Sequence, residues 1–485
     1  MKRSRLKEIN AIQKPTRDVQ WRIGLVYPNS YSIGMSGLTI KLLYHLLNQH
    51  QNVFTERIFF SADLPGPSKS IETGRTLSQF DLLAFTFQFE LDYINAIKML
   101  LRSGIPVNAK NRPSNHPLLL AGGPTVTTNP GPLCEIFDFF FLGEFEMITE
   151  KFLEAFISSK HGILLDSLLS IPGFTTPDTW SNVVPIITKN LDGVNYPTAQ
   201  VRPIKPRKKG VLDGYFLQIS RGCTHGCHFC LIGRYFRPQR ERSLKKLKDL
   251  ITNGNKDTKT DFFSLIGSSV ADYSQIEELL NFFIEQDLKF SLPSIRIDSG
   301  IDILDLIKQT GLRSLSIAPE TASEDVRFKI GKKISNTQII EFLHHADRYN
   351  VREIRLYFIL GLTSEIISES QEITAFVNDL AESHPTIKFT MSVAPLIPKR
   401  GTKLVNKCVN YQKIQQGFNI LKQNKNVRFK SFPVHWAAVQ AILSIGGQEL
   451  TPMMISVANN GGSYQSWKKN LGMEPIDYYL KQYCV

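Results

Sequence analysis

The sequence predicts an α/β protein: a doubly wound, flavodoxin- or Rossmann-like parallel sheet, then a partial six-unit βα barrel of the TIM type, then a small helical C-terminal segment. Short apolar runs alternate with amphipathic helical segments in two series, a pattern typical of parallel sheets covered by helices. A Pro-rich basic connector separates the two series, and 485 residues are many for one hydrophobic core. The expected parts are a basic tail (1–20), a doubly wound domain (21–160), the connector (161–212), the barrel (213–408) and a helical extension (409–485).

The first series predicts strands at Ile23–Tyr27, Arg57–Phe60, Leu82–Phe87, Leu118–Ala121 and Phe139–Leu142. In a doubly wound sheet the ligand crevice lies at the carboxyl ends of the strands. Six residues that we single out stand in the segments at those ends: Asn29, Tyr31, Gly34, Thr86, Gly122 and Gly123. Glycines there allow the backbone to approach a large flat or phosphorylated ligand closely.

The second series predicts strands at Tyr215–Ser220, Asp261–Gly267, Ser291–Ile297, Leu312–Ile317, Glu353–Leu360 and Lys388–Val393. Helices are expected at about 240–254, 274–286, 301–310, 322–329, 336–349 and 367–382. Ser274 with Glu277, and Ser335 with Gln338, have the spacing of capping boxes. In βα barrels the chemistry lies at the carboxyl ends of the strands. The helical extension is expected to cap the open side of the barrel or to support dimer contacts.

Three cysteines, Cys223, Cys227 and Cys230, follow the first barrel strand with the spacing C-x-x-x-C-x-x-C. Three thiolates this close can hold one [4Fe–4S] cluster and leave one iron without a protein ligand. That iron could chelate the amino and carboxylate groups of S-adenosylmethionine (SAM). The alternative is structural zinc with His225 or His228 as fourth ligand, although a second C-x-x-C pair is missing. Six cysteines in 485 residues do not indicate a disulfide framework.

The chain resembles the radical SAM proteins that carry an N-terminal cobalamin-binding-like domain, over residues 21–450. Their barrels are similar to those of the methylthiotransferases and the elongator catalytic subunit. The resemblance is carried by Tyr27–Tyr31, Gly34–Ser36, Phe89–Tyr93, Ala121–Pro124, Cys223–Cys230, Ile317–Glu320, Leu356–Gly361 and Val393–Lys399. Two departures are His225, where arginine is usual, and Arg400–Lys403, where relatives carry a His-Thr-Pro-Phe-like run.

The resemblance implies a radical SAM enzyme, in which SAM is cleaved reductively to a 5′-deoxyadenosyl radical that abstracts hydrogen from an unidentified substrate. The residues expected to contact SAM are Phe229, Ser268, Ser269, Arg296, Glu320, Arg355 and Leu396. Period-two alternation places Arg355 and Tyr357 inside the barrel, where Glu320 or the SAM carboxylate would pair with the arginine. The structural alternatives are a satisfied buried charge for Arg355 and a helix N-terminal acid for Glu320.

The family's cobalamin pattern, D-x-H-x-x-G followed by S-x-L and G-G, is incomplete here. Asn29 stands in place of the aspartate and Tyr31 in place of the cobalt-ligating histidine. Either a corrin binds without a protein ligand to cobalt, or the domain has kept the fold and lost the cofactor. If a corrin binds, methyl transfer, rearrangement or ring formation becomes available.

The net charge of +13 and the pI near 9.3 favour an anionic partner such as RNA, an anionic lipid surface or a phosphorylated substrate, or simply a solvated basic surface. The basic residues concentrate at Lys205–Lys209 and over 234–248. No apolar run reaches the ~18 residues that span a bilayer, and the N-terminus lacks a signal-peptide core. We therefore expect a cytoplasmic enzyme that receives electrons from a small flavodoxin- or ferredoxin-type protein.

Two rival functions remain. A methylthiotransferase acting on tRNA or a ribosomal protein would carry a second cluster on three N-terminal cysteines, but only Cys134 precedes Cys223. A zinc-stabilised RNA-binding protein would contain one zinc instead of about four irons per chain.

Overall fold

The computed structural model describes residues 7–63, 66–158, 164–204, 214–309 and 312–471, which form two compact units. The N-terminal unit contains the described residues up to Phe216, Leu250–Thr260 and the described residues from Leu443. The barrel unit contains residues 217–249 and 261–442. The basic run Lys205–Lys209, the start of the tail and the end of the extension lie outside the described residues.

The N-terminal unit is a doubly wound sheet, as predicted. Its strands are β1 (Glu8–Ile9), β2 (Trp21–Tyr27), β3 (Val53–Phe59), β4 (Leu82–Thr86), β5 (Leu118–Gly122), β6 (Phe139–Phe141), β7 (Phe174–Thr175) and β8 (Arg202–Pro203). The strand order is β3-β2-β4-β5-β6-β7, parallel except for β7, while β1 pairs separately with β8. The first helices of the chain are α1 (Tyr31–Met35), α2 (Leu38–Leu47), α3 (Asp92–Arg102), α4 (Pro124–Thr128), α5 (Thr149–Ser158) and α6 (Leu164–Leu169).

A buried ionic network ties β1 to β3. The guanidinium of Arg57, fully buried, lies 2.6 Å from the Glu8 carboxylate and 2.7 Å from that of Glu72. The Tyr31 hydroxyl donates to Glu8 at 2.6 Å. Burial raises the pKa of Glu72, so its charge depends on the arginine beside it.

The described strands of the barrel unit form two adjoining parallel sheets and one short antiparallel pair, Ser220–Arg221 with Arg240–Glu241. Its strands are β9 (Tyr215–Gln218), β10 (Ser220–Arg221), β11 (Arg240–Glu241), β12 (Phe262–Ile266), β13 (Lys289–Ser291), β14 (Ser314–Glu320), β15 (Glu353–Leu360), β16 (Lys388–Pro395) and β17 (Arg428–Ser431). The orders are β13-β12-β9 and β14-β15-β16-β17, and a parallel bridge between Ile295 and Ile317 joins the two sheets. The strands thus follow one another around a partial barrel, with their carboxyl ends on one edge.

The remaining helices flank these strands or follow them. They are α7 (Ile232–Tyr235), α8 (Leu244–Thr258), α9 (Ile276–Glu285), α10 (Ile297–Gly300), α11 (Leu304–Gln309), α12 (Glu324–Lys329), α13 (Asn336–Arg348), α14 (Ile366–Ser383), α15 (Tyr411–Lys422), α16 (Val434–Ile445), α17 (Thr451–Asn459) and α18 (Tyr464–Leu471). Among the described helices, none combines the length and the apolar character needed to cross a bilayer.

Two details of the prediction were wrong. The third barrel strand ends at Ser291, and its predicted continuation contains Pro293, which cannot donate a ladder hydrogen bond. Helix α9 begins at Ile276 without a side-chain cap, because Ser274 bonds Glu241 instead of closing a capping box. The Ser335 capping box is confirmed.

The C-terminal extension, expected at 409–485, is not one separate segment. Helix α15 leads into β17, which adds a parallel strand beyond the predicted sixth. Helix α17 instead packs against α3 of the N-terminal unit. In the same unit, the Asn129 amide donates to the Gly446 carbonyl at 2.8 Å. The barrel therefore continues past residue 408, and the described residues from Leu443 belong to the other unit.

Arg57→Ala should lower the free energy of unfolding of the N-terminal unit by about 3–5 kcal/mol, because it leaves Glu8 and Glu72 buried without a partner charge. Urea unfolding followed by circular dichroism measures the loss. The control is Arg17→Ala, whose side chain is 87% exposed and which should unfold like the parent. Equal unfolding curves for the two variants would show that the network contributes nothing.

Candidate functional site

The three cysteines lie on the loop of residues 222–230 (the cluster loop). The chain enters this loop from β10 and later returns along β11, which pairs with β10 in antiparallel orientation. The guanidinium of Arg240 donates to the carbonyls of Pro238 and Phe236, each at 3.0 Å, and fixes the returning chain. Gly222 has a φ of 83°, and a Cβ there would lie 2.2 Å from the Phe236 carbonyl oxygen. Only glycine therefore fits the entry to the loop.

Two further segments hold the cluster loop through its own backbone. The N–H of His228 donates to the Ile330 carbonyl at 2.8 Å, and the N–H of Lys403 donates to the His228 carbonyl at 3.1 Å. Gly331, with a φ of 77°, packs so closely that a Cβ would lie 2.8 Å from the Gly226 oxygen. The loop is thus clamped between the α12–α13 connection and the chain after β16.

The three cysteines line one cavity at the carboxyl ends of the barrel strands. The residues that line it are Cys223, His225, Cys227, Phe229, Cys230, Ser268, Ser269, Ser294, Ile295, Arg296, Ile297, Ala318, Glu320, Lys332 and Ile334. The structure therefore brings together five of the seven residues that were expected to contact SAM: Phe229, Ser268, Ser269, Arg296 and Glu320. Their contact with SAM stays a prediction.

The donor set fits a cluster better than a single ion. Among the described residues, no group of three His, Cys, Asp or Glu side chains is arranged to hold one metal ion. A [4Fe–4S] cluster does not require that convergence, because each cysteine binds a different iron. The two histidines that could be the fourth zinc ligand contact other side chains. His225 Nε2 lies 2.7 Å from Asp272, and His228 Nε2 lies 3.3 Å from the Lys403 ammonium.

The cavity sets the charge state of the thiols. Burial raises the pKa of Cys223 and of Cys227, while the nearby cations of Lys332 and Arg296 lower that of Cys227 in part. Without metal, Cys223 and Cys227 are therefore neutral thiols at neutral pH. Binding to iron requires thiolates, so cluster assembly releases protons and is favoured by higher pH.

Glu320 ends β14 in a strained position beside the cysteines. It has a φ of 67°, which is unusual for a residue with a side chain, and follows an irregularity in the pairing of β14 with β15. Its carboxylate lies 2.6 Å from the ammonium of Lys332, and both side chains are nearly buried. The sequence analysis missed Lys332, since the pair Lys332-Lys333 looks like an ordinary solvated basic run.

Arg327 of α12 holds this region in place. It is fully buried and donates to the carbonyls of Pro319, Thr321 and Ile334 at 3.1, 2.7 and 2.9 Å. Burial lowers the pKa of Arg327 to about 10, so the guanidinium stays charged at neutral pH. Arg327 thereby fixes the backbone on both sides of Glu320 and just beyond Lys332.

The other SAM candidates are placed differently. Arg296 is the N-cap of α10, lines the cavity and pairs with Asp298 at 2.6 Å. Arg355 lies opposite Ser316, on the face that Ala318 shares, but it is exposed and outside the cavity. Of its two expected partners, Glu320 is wrong, because that carboxylate binds Lys332, while Arg355 donates to the Tyr357 hydroxyl at 3.4 Å. Its pairing with the SAM carboxylate stays a prediction.

Leu396 does not line the cavity either. Its side chain is buried, its N–H donates to the Leu360 carbonyl at 2.8 Å, and its carbonyl accepts from the Tyr411 hydroxyl at 2.9 Å. The backbone N–H and carbonyl of Leu396, a residue expected to contact SAM, are therefore already bonded within the barrel.

The candidate residues that follow β2 in the N-terminal unit contact other residues of the protein. The Asn29 amide donates to Asp92 at 2.7 Å, and burial raises the pKa of that carboxyl to about 7 despite this bond. A Cβ on Gly34 would lie 2.5 Å from the Phe59 ring. Tyr31, whose hydroxyl is bound to Glu8, offers no ready ligand to cobalt.

The Gly122-Gly123 pair is explained in the same way. Gly123 has a φ of 103°, and a Cβ there would lie 2.5 Å from the Phe87 carbonyl oxygen. The Gly122 carbonyl accepts from the Phe87 N–H at 2.9 Å, and Thr86 is buried. The close approach that Gly123 allows is made by the protein's own backbone, at Phe87.

The chain is similar to known proteins in sequence and in fold. Two families match the chain, the N-terminal domain of radical SAM proteins over residues 39–177 and the radical SAM superfamily over residues 217–377. An uncharacterized protein of Methanocaldococcus jannaschii is 29% identical over 390 residues, 78% of either chain. The ribosomal protein uS12 methylthiotransferase RimO of Leptospira biflexa is 27% identical over 210 residues, 39% of this chain and 43% of that protein.

Among solved structures, the radical SAM methyltransferase TsrM from Kitasatospora setae, with cobalamin and a [4Fe–4S] cluster bound, is similar in fold. The TM-score is 0.56 at 11% identity, with 95% of this chain and 99% of that chain covered. The cluster loop lies within the second family match, on a barrel of the expected architecture. The chain therefore belongs to the radical SAM superfamily and is an enzyme.

Proposed function

We propose that Cys223, Cys227 and Cys230 hold one [4Fe–4S] cluster, and that the cavity beside them binds SAM for hydrogen abstraction from a substrate. The observation that carries the proposal is the clamped loop, which presents all three thiols to the same cavity as a buried carboxylate and a buried cation. When bound, the cluster supplies one electron and an open iron, and SAM supplies the radical precursor. The protein's own task is to bind, orient and exclude water.

Glu320 and Lys332 are the residues best suited to orient SAM. A carboxylate accepts several hydrogen bonds, so Glu320 can keep its bond to Lys332 while it accepts from an ammonium or a ribose hydroxyl. Lys332 has further N–H donors for the SAM carboxylate. In a site shielded from water such charge-assisted bonds are stronger than at the surface.

Ser268 and Ser269 complete the proposed cavity at the carboxyl end of β12. Both line it together with the cysteines, and Ser269 is buried. Their hydroxyl and backbone groups suit the zwitterionic end of SAM, and neither adds a charge that Glu320 and Lys332 would have to balance. We place the enzyme in the cytoplasm, because thiolates that bind a cluster must be kept reduced.

The methylthiotransferase alternative is not supported. Cys134, which precedes the cluster loop, is buried, and burial raises the pKa of its thiol to about 11. Corrin-assisted methyl transfer is compatible with the fold, since the similar TsrM structure contains cobalamin, but Tyr31, whose hydroxyl is bound to Glu8, would not ligate the cobalt.

Replacing Cys223, Cys227 or Cys230 by alanine should remove the cluster and SAM cleavage, because each thiolate is proposed to hold a separate iron. After anaerobic reconstitution, the parent should contain about four irons and four sulfides per chain. The control is Cys134→Ala, which lies outside the cluster loop and should keep full iron content. Parent-level iron and SAM cleavage in the triple-alanine variant would refute the assignment.

Lys332→Met and Glu320→Gln should each weaken SAM binding by about 1–3 kcal/mol, the usual loss for a charge-assisted hydrogen bond in a closed site. Calorimetry on the reconstituted protein measures the affinity. The matched control is Lys333→Met, which removes the same charge from an exposed neighbouring residue. If Lys332→Met and Lys333→Met bind SAM equally well, the Glu320–Lys332 pair is structural.

A further inference from the structure

The sheet β14-β15-β16-β17 has an apolar outer face and a polar inner face. On β15, Leu356 is fully buried, while the next residue, Tyr357, is half-buried on the opposite face. On β16, Met391 is fully buried, and its neighbours Thr390 and Ser392 are half-buried. Parallel sheets are usually apolar on both faces, because helices or other side chains cover both. The inner face of this sheet is therefore not built to pack against a hydrophobic core.

Strand β17 adds two cations to the inner face. The ring of Phe429 packs on Phe418 of helix α15, with the ring centroids 5.7 Å apart, so Phe429 belongs to the outer face. Arg428 and Lys430, on either side of it in sequence, are exposed. Because side chains alternate along a strand, both point away from α15 and toward the inside of the partial barrel.

The strand register arranges the polar side chains of the inner face in two rows. Each row crosses β15, β16 and β17 and holds cations and hydroxyls, and together we call them the cationic face: Arg355, Thr390 and Arg428, then Tyr357, Ser392 and Lys430. Neighbours within a row are about 4.8 Å apart, and the rows are about 7 Å apart. The guanidinium, ammonium and hydroxyl donors can therefore converge on one bound group.

The carboxylates near the cationic face do not neutralise it. Glu320, at the end of β14, is held by Lys332 at 2.6 Å. Glu353, at the beginning of β15, is exposed and lies beside Lys388 in the register. Within the described part of the chain, none of the three cations of the cationic face forms an ion pair with a carboxylate. Its positive charge is thus available to a bound anion.

The cationic face is open on one side and leads to the cavity on the other. The two barrel sheets meet at the bridge between Ile295 and Ile317, and β17 is the free edge of the larger one among the described strands. Ser316 of β14 lies beside Arg355 in the register, and Ala318, two residues further along, lines the cavity. A ligand can therefore lie across the sheet from the open edge to the cysteines.

We propose that the cationic face binds a phosphate group of the substrate, held by Arg428, Lys430 and the hydroxyls of Thr390 and Ser392. The inference rests on the proposed function and names the class of molecule on which it acts. The fork of N–H donors on arginine matches phosphate oxygens, and ammonium and hydroxyl groups supply further donors. Strand β17 is three strand spacings from β14, about 14 Å along the sheet. The substrate therefore extends up to about that distance between its phosphate and the carbon that reacts in the cavity.

The test compares the reconstituted parent with Arg428→Gln/Lys430→Gln. The matched control, Lys413→Gln/Lys422→Gln, removes the same two charges from exposed residues of α15, the helix that packs on the outer face. Phosphorus NMR measures the binding of inorganic phosphate. Calorimetry compares uridine 5′-monophosphate with uridine, which lacks the phosphate, and fluorescence anisotropy follows a labelled single-stranded RNA oligonucleotide. SAM is present throughout, so that no nucleotide takes its place in the cavity.

For Arg428→Gln/Lys430→Gln we expect the affinities for inorganic phosphate and uridine 5′-monophosphate to fall about tenfold or more, because charge-assisted hydrogen bonds are lost. The control should bind both as the parent does. Iron content and SAM affinity should match the parent in both variants, since the changed residues lie outside the cavity. An RNA oligonucleotide that binds more tightly than the mononucleotide, with the same loss in the variant, would identify RNA as the source of the phosphate. Binding of the mononucleotide alone would identify a small phosphorylated molecule, and either result supports the site.

Parent-level affinity for inorganic phosphate in Arg428→Gln/Lys430→Gln would overturn the proposal, as would an equal loss in the control. A parent that binds uridine as tightly as uridine 5′-monophosphate would overturn it as well, because the phosphate would then contribute nothing. Failure of the parent to hold a cluster or to cleave SAM with dithionite would refute the proposed function. That outcome is distinct from failure of the phosphate site, which is measured by binding alone.

Discussion

The site depends on one constraint: a nine-residue loop must present three thiols to one cavity before any metal is bound. The cysteines cannot do this by spacing alone, because a free loop would spread them over many conformations. The backbone of His228 is held by Ile330 and Lys403, and the entry is held by Gly222, where any side chain would collide with Phe236. Preorganisation of this kind lowers the cost of assembling the site.

The same clamp links the cluster loop to the charges of the cavity. The α12–α13 connection that binds His228 also carries Lys332. Arg327 anchors the end of this connection, at Ile334, and the end of β14 in one set of hydrogen bonds. A guanidinium buried among carbonyls costs desolvation, which those bonds offset. Glu320, Lys332 and the cysteines are therefore positioned by one connected group of residues. A change at Arg327 would affect both the cluster loop and the Glu320–Lys332 pair.

The order of strands and helices could be predicted from the sequence because apolar alternation is local information. The cysteine motif was equally local, as were Ser268, Ser269 and Glu320 at the strand ends. Lys332 and Arg327 could not be recognised, because nothing in a basic run shows that one lysine is buried against a carboxylate twelve residues away. For Arg355, the alternation predicted the correct face of β15. It did not predict that the side chain is exposed, near the beginning of the strand. The packing of α17 on α3 and the bond from Tyr31 to Glu8 are long-range contacts, which no local pattern encodes.

The most direct test of the cluster and its open iron is electron paramagnetic resonance of the reconstituted, dithionite-reduced protein with and without SAM. We expect the signal of one reduced [4Fe–4S] cluster per chain, and a change in that signal when SAM binds the iron that has no protein ligand. A protein that contains one zinc and gives no cluster signal, or a cluster signal that SAM leaves unchanged, would contradict the assignment of the site.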